Sequence, residues 1–231
     1  MIPLKDDIRT VRFPIVTVAL IAANALAFAW QLQVGLDLSA LRGGAIPFEI
    51  LTFQDVYPPD IVPPPLTILT SMFLHGGWLH IGFNMLTLWI FGNNVEDALG
   101  RARFVAFYVL AGIAAAVAQA LASTMAGAAE VPMVGASGAI AGVLAAYLIL
   151  FPYARVLTAI VIVIFIRLVY LPARLFIIGW FVLQVLPVLF GGATPGGGVA
   201  FFAHIGGFLA GLALVKIMGR RPSWRGRPTW F

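Results

Sequence analysis

The chain has no cysteine, which excludes disulfides, thiolate metal sites and a cysteine nucleophile together. Charge is scarce as well. Only 10% of the 231 residues are Asp, Glu, Lys or Arg, where a soluble domain carries about 25%. An ordinary soluble globule is excluded on that ground. What fills the space is apolar: 61% of the residues are hydrophobic and the mean hydropathy is +1.01, values of a polytopic membrane protein whose first partner is the lipid bilayer. The formal net charge of +5 does not indicate nucleic acid. Its basic residues sit in short connections and at the tail, and they form no patch interleaved with exposed aromatics.

A transmembrane helix takes roughly 20 apolar residues at about 1.5 Å each. Runs at about 13–32, 79–98, 104–125, 137–151, 173–190 and 199–218 are read as such helices, and together they make one membrane domain. The first run follows Lys5, Arg9 and Arg12 as a signal sequence would. It runs long and lacks a small-residue cleavage site, so a retained helix is expected. Residues 33–67 form a long first loop that is too long to be structureless, with a short amphipathic helix expected around Phe48 to Phe53. The stretch from Val156 to Tyr170 is apolar but broken by Arg167, and an interfacial or re-entrant segment is expected there. The expected fold class is all-α: six transmembrane helices and a long first extracytoplasmic loop.

Charge sets the orientation, because Lys and Arg accumulate in cytoplasmic loops. With the N-terminus inside, Lys5, Arg9, Arg12, Arg101, Arg103, Arg155, Arg167, Arg174, Lys216 and the tail arginines 220, 221, 225 and 227 are all cytoplasmic. Only Arg42 lies outside, with Asp37, Glu49, Asp55, Asp60 and Glu130. Both termini are then cytoplasmic in a cell's inner (plasma) membrane, and the basic tail 219–231 can meet anionic headgroups.

On this layout the histidines share the extracytoplasmic side. His75 and His80 stand where the second helix begins, His204 stands just inside the sixth, and Ser137 opens the fourth. From Ser137 to Phe151 the fourth helix spans about 22 Å, short of a core of about 30 Å. Ser137 is therefore sunk below the surface and reached by irregular backbone, which is tolerated at that depth only inside protein or beside a water-filled cavity. Gly135, Gly138 and the alanines that follow permit close helix approach, and Gly207 and Gly211 form a GxxxG pair on the face of His204. Packing those faces would bring imidazole to hydroxyl. A serine needs such a base to become a nucleophile, and no Asp or Glu lies at that depth, so a Ser–His dyad is expected in place of a triad. Backbone N–H of Ser137 and the side chains of His80 and Asn84, four apart on one helix face, are the oxyanion-hole candidates. His75, His80 and His204 could be weighed as metal ligands, but no carboxylate or thiolate joins them. Neither a metal nor another cofactor is expected.

The segments His80-Ile81-Gly82-Phe83-Asn84, Gly135-Ala136-Ser137-Gly138 and Ala203-His204-Ile205-Gly206-Gly207 resemble, in order and topology, the motifs of the rhomboid intramembrane serine proteases. The resemblance covers nearly the whole helical region. It implies Ser137 as nucleophile, His204 as general base, His80 and Asn84 in the oxyanion hole, His75 as a further supporting histidine, and a structural Glu96. It also implies cleavage of single-span membrane proteins within their transmembrane segments, with a gate at the fifth helix, where Phe176, Trp180 and Phe181 lie; the Gly-rich 191–198 loop is itself read as a mobile cap over a site that water must reach. Two positions depart from the family pattern. The first loop has no Trp-Arg pair, and Ala141 stands where many bacterial members place a tyrosine against the catalytic histidine. The rival readings are a catalytically inactive rhomboid-like protein that binds membrane clients and a small transporter, whose inverted repeats are not found here.

Overall fold

The computed structural model describes residues 2–56, 62–162, 165–190 and 199–218. Asp60, the 191–198 loop and the basic tail 219–231 lie outside the described residues. The chain opens with strand β1 (Ile2–Asp6) and helix α1 (Ile15–Val34), followed by short helices α2 (Leu36–Gly43), α3 (Pro47–Thr52) and α4 (Thr67–Ser71). Helix α5 (Trp78–Thr87) passes through a π-helical segment, Leu88–Gly92, into α6 (Asn93–Leu99). Then come α7 (Arg101–Met125), α8 (Ser137–Leu150), strands β2 (Arg155–Ile162) and β3 (Phe165–Pro172), α9 (Ala173–Leu189) and α10 (Phe201–Met218). The fold is mostly helical. Helices α1, α7 and α10 are long and apolar enough to cross a bilayer, and α8 and α9 are shorter apolar helices.

Helix α8 is the axis of the core. Every residue from Gly138 to Tyr147 is buried, because α7, α9 and α10 pack around it. Its closest neighbour is α10, and glycine makes that approach possible. A Cβ on Gly207 would overlap the carbonyl of Gly138, and one on Gly211 would stand 2.6 Å from the Cα of Gly142. Two small-xxx-small pairs thus face each other backbone to backbone, the arrangement that maximises dispersion where lipid supplies no hydrophobic drive.

The all-α expectation is corrected by a three-stranded antiparallel sheet in the order β1-β2-β3. The Val156–Tyr170 stretch, expected as an interfacial or re-entrant segment, is β2 and β3, which pair from Arg155↔Pro172 to Ile162↔Phe165. Val156, Thr158, Ile160, Ile166 and Val169 explain the outcome: branching at Cβ favours the pleated strand over the helix. Pairing also satisfies the backbone polar groups internally. Strand β1 pairs with β2 through an irregularity between Pro3 and Lys5, where proline has no N–H to give a ladder.

Acidic side chains lash the N-terminal segment to the bundle. Glu96 accepts hydrogen bonds from the N–H groups of Val16 (3.0 Å) and Thr17 (2.7 Å) and from Thr17 Oγ1 (2.8 Å), so it caps α1 from another helix and complements its dipole. Asp97 accepts from Val11 N–H at 2.7 Å. Asp6 accepts from Tyr147 O–H and Asn94 Nδ2, both at 2.6 Å. Loss of hydration pushes the Asp6 carboxyl up from 3.8 to about 7, with adjacent Asp7 adding to the rise and the Tyr147 hydrogen bond opposing it.

Two outcomes follow. Gly207→Ala forces the α8 and α10 backbones apart and should cost about 1–3 kcal/mol, read as a lower unfolding midpoint in detergent. For Asp6 the folded pKa is the raised one, so its contribution to stability is full below about 4 and is lost as pH climbs through about 7. The midpoint of the wild type should therefore fall relative to Asp6→Asn between pH 4 and pH 8; a constant difference would show that Asp6 does not titrate in that window.

Candidate active site

Ser137 is the first residue of α8 and is partly buried. The backbone before it is irregular and is held from outside the helix. Met133 forms an isolated antiparallel bridge with Ala45, with N···O distances of 3.0 and 2.8 Å, and Gly135 N–H donates to Ser71 O at 2.8 Å. The helices of the first loop therefore support the approach to the serine. Gly135 has φ +131°, and a Cβ there would stand 2.8 Å from His80 Nε2. Only glycine leaves room for that ring.

His204 lies one turn into α10 and is 8% exposed. Its Nε2 is 2.7 Å from Ser137 Oγ and its Nδ1 is 2.8 Å from Gln184 Oε1. The amide of Gln184 is oriented by its Nε2, which donates to Trp180 O at 3.4 Å, so the oxygen faces His204. An oxygen can only accept, hence Nδ1 carries the imidazole hydrogen and Nε2 presents its lone pair to the Ser137 hydroxyl. That is the tautomer in which imidazole can take a serine proton. The Trp180 ring packs beside the imidazole with centroids 5.6 Å apart. The aromatic missing at Ala141 is thus supplied from α9. Gln119 Oε1 of α7 accepts from Ala203 N–H at 3.1 Å and holds the first turn of α10.

His80 has the opposite tautomer. Gly76 N–H donates to its Nδ1 at 3.3 Å, which leaves the hydrogen on Nε2, the nitrogen beside Gly135 near Ser137. One turn further on α5, Asn84 is 7% exposed, and its Nδ2 has no acceptor among the described residues. Both line a cavity of about 870 Å3 that also contains Ser137, His204 and Gln184. Two N–H donors and the first-turn backbone N–H of α8, which lacks an intrahelical acceptor, therefore border the space in front of the hydroxyl. An oxygen acquiring negative charge there would be stabilised by them.

His75 is placed differently. Its backbone N–H donates to Gln31 Oε1 at 2.8 Å, and Gln31 Nε2 returns a bond to its carbonyl at 3.2 Å. Its ring meets His80 edge-on at 5.0 Å and neither ring nitrogen has a partner among the described residues. It backs His80 and does not line the cavity. Gly138, Gly207 and Gly211 are packing residues, as the helix contact already described makes plain. Sequence reasoning missed Gln119, Gln184 and the contact of Trp180 with His204. The signal for Gln184 was present: it is the one polar side chain of α9 beyond Arg174, and an amide in an apolar helix is there to bond something.

The fold and the site define a helical membrane protein in which a serine and a histidine from distant segments meet at a buried cavity. The family model of the Rhomboid domain matches residues 65–221, well over half of the chain, and the chain belongs to the rhomboid family. It is 38% identical over 99 residues to Rhomboid protein 1, mitochondrial, of Saccharomyces cerevisiae, covering 42% of this chain and 29% of that protein. Identity to the Rhomboid protease GluP of Bacillus subtilis is 42% over 81 residues, or 35% of this chain and 15% of that one. The Presenilin-associated rhomboid-like protein, mitochondrial, of Mus musculus is 29% identical over 229 residues, 97% of this chain and 52% of its own length. The chain thus spans about half or less of these relatives.

Gly135→Ala should displace the His80 ring. Among the three histidines, the imidazole 15N resonances of His80 should move most, while those of His204 keep the Nδ1–H pattern; unmoved His80 resonances would mean that the ring does not occupy the space above Gly135.

Proposed function

We propose that the chain is an intramembrane serine endopeptidase that cleaves single-span membrane proteins within their transmembrane segments. The observation that carries this reading is the 2.7 Å contact between Ser137 Oγ and the unprotonated Nε2 of His204. Similarity to the Rhomboid protease GluP of Bacillus subtilis supports it too. In the proposed reaction Ser137 Oγ bonds to the scissile carbonyl carbon as its proton passes to His204 Nε2. The carbonyl π pair moves onto oxygen, facing the N–H of Ser137, His80 Nε2 and Asn84 Nδ2. Collapse breaks the C–N bond, and the leaving amine takes the proton from Nε2. The acyl-enzyme is then attacked by water, whose proton goes to Nε2 and on to Ser137 Oγ as the acid product departs.

The cavity extends from the hydroxyl between α5, with Leu79, Phe83 and Thr87, and α9, with Phe176, Trp180 and Gln184. An unwound stretch of a substrate helix would enter laterally between those two helices, with α9 as the gate. Six spans are counted as α1, α5–α6, α7, α8, α9 and α10, with both termini cytoplasmic in the cell's inner membrane and the site opening to the other side. The distribution of Lys and Arg supports that orientation. A catalytically inactive client-binding relative is the rival, and retention of both Ser137 and His204 in hydrogen-bond contact argues against it.

The test is cleavage of a model single-span substrate in liposomes, together with labelling by a fluorophosphonate probe. Wild type should cleave and be labelled at Ser137. Ser137→Ala and His204→Ala should each lose activity by about a thousandfold or more with unchanged unfolding midpoints. A wild type that binds the substrate but neither cleaves it nor takes the label would favour the client-binding reading.

A further inference from the structure

We infer that Gln184 is a positioning residue of the catalytic base: its side-chain oxygen holds the Nδ1 hydrogen of His204 and fixes the tautomer that faces Ser137. The inference rests on the protease reading and goes beyond the Ser–His pair. A neutral imidazole carries its hydrogen on either nitrogen, and an unconstrained ring samples both. With the hydrogen on Nε2 it could only donate to Ser137 and could not accept the serine's proton. Something must bias the ring.

Among the described residues, Gln184 Oε1 at 2.8 Å is the group bonded to Nδ1. Its own orientation is set one helical turn back, by the Nε2 bond to Trp180 O. A flipped amide would aim an N–H at the imidazole and break that bond. Trp180, on the same face of α9, packs beside the ring and limits its rotation. Backbone dipoles and a neutral amide are what α9 offers at this point, since its remaining polar side chain, Arg174, lies near three turns away. In the soluble triad a carboxylate performs this service. A carboxamide accepts the same hydrogen without placing a second charge in the apolar bundle, where an ion would be costly. When His204 becomes imidazolium, the amide oxygen remains a correctly aimed acceptor for the Nδ1 hydrogen. Gln184 therefore acts through His204 and needs no contact with substrate.

The experiment uses the full-length chain in detergent, with wild type, Gln184→Met, which keeps the length and packing of the side chain, and Gln184→Glu, which keeps its shape and adds charge. Imidazole 15N shifts report the tautomer directly, and the chain has only three histidines. Wild-type His204 should show hydrogen on Nδ1. In Gln184→Met this should give way to a mixture, with kcat down by about tenfold or more at unchanged KM. In Gln184→Glu the tautomer should persist, and the rise of kcat/KM with pH should move to higher pH by about one unit or more, because an adjacent carboxylate favours the imidazolium. An unchanged His204 tautomer in Gln184→Met, with an unchanged pH profile in Gln184→Glu and an active wild type, overturns the inference and leaves the protease reading standing. A wild type that takes no label at Ser137 and cleaves nothing removes both.

Discussion

The contact on which the rest depends is the touching of two helix backbones. Gly138 and Gly142 of α8 lie against Gly207 and Gly211 of α10 with no side chain between them. Their approach is what carries an imidazole from one end of the sequence to within 2.7 Å of a hydroxyl 67 residues earlier. In lipid there is no hydrophobic gain from bringing apolar helices together, so the approach is driven by close-packed dispersion. A methyl group at either pair would widen the separation by more than a hydrogen bond tolerates. The contact of serine with histidine is therefore a consequence of what these positions lack.

Around that contact, positioning is done by neutral amides. Gln31 of α1 holds the backbone of His75, Gln119 of α7 holds the first turn of α10, and Gln184 of α9 holds the ring of His204. Each binds through oxygen to an N–H, and each side chain reaches across from another segment of the bundle. Carboxylates are used elsewhere, as Glu96 and Asp97 fasten the start of α1 and Asp6 fastens the N-terminal strand. The division follows from solvation: an amide can be buried for the cost of its hydrogen bonds, whereas a carboxylate in an apolar medium must find several donors.

Much of the site was legible in the sequence. A serine with small neighbours at the start of a short helix, histidines at matching helix ends and a GxxxG face beside His204 carry their geometric meaning in their spacing. The partners of those residues were less legible, because a glutamine in an apolar helix announces that it bonds something without saying what. The sheet was misread for a different reason. An apolar run interrupted by Arg167 has no periodicity to separate strand from helix, and the decisive cue, the density of β-branched residues from Val156 to Val169, gave way to the expectation of an interfacial or re-entrant segment. Strand β1 left almost no signal, since Ile2–Asp6 contains a proline and a lysine and gains its structure from β2.

The sheet also bears on how α9 can move. Ala173 N–H is bonded to Ala154 O at 2.8 Å, and Ala173, Phe176 and Ile177 are buried, while the far end reaches 70% exposure at Leu189. Helix α9 is thus fastened at its foot, a fulcrum on the same sheet that grips the lower end of α8 through Asp6 and Tyr147. A rotation about such a fulcrum displaces each residue in proportion to its distance along the rod. Under the proposed function, small angles at Ala173 would become ångströms at Trp180 and more at Gln184, so that admission to the cavity and support of the imidazole would share a single angular coordinate.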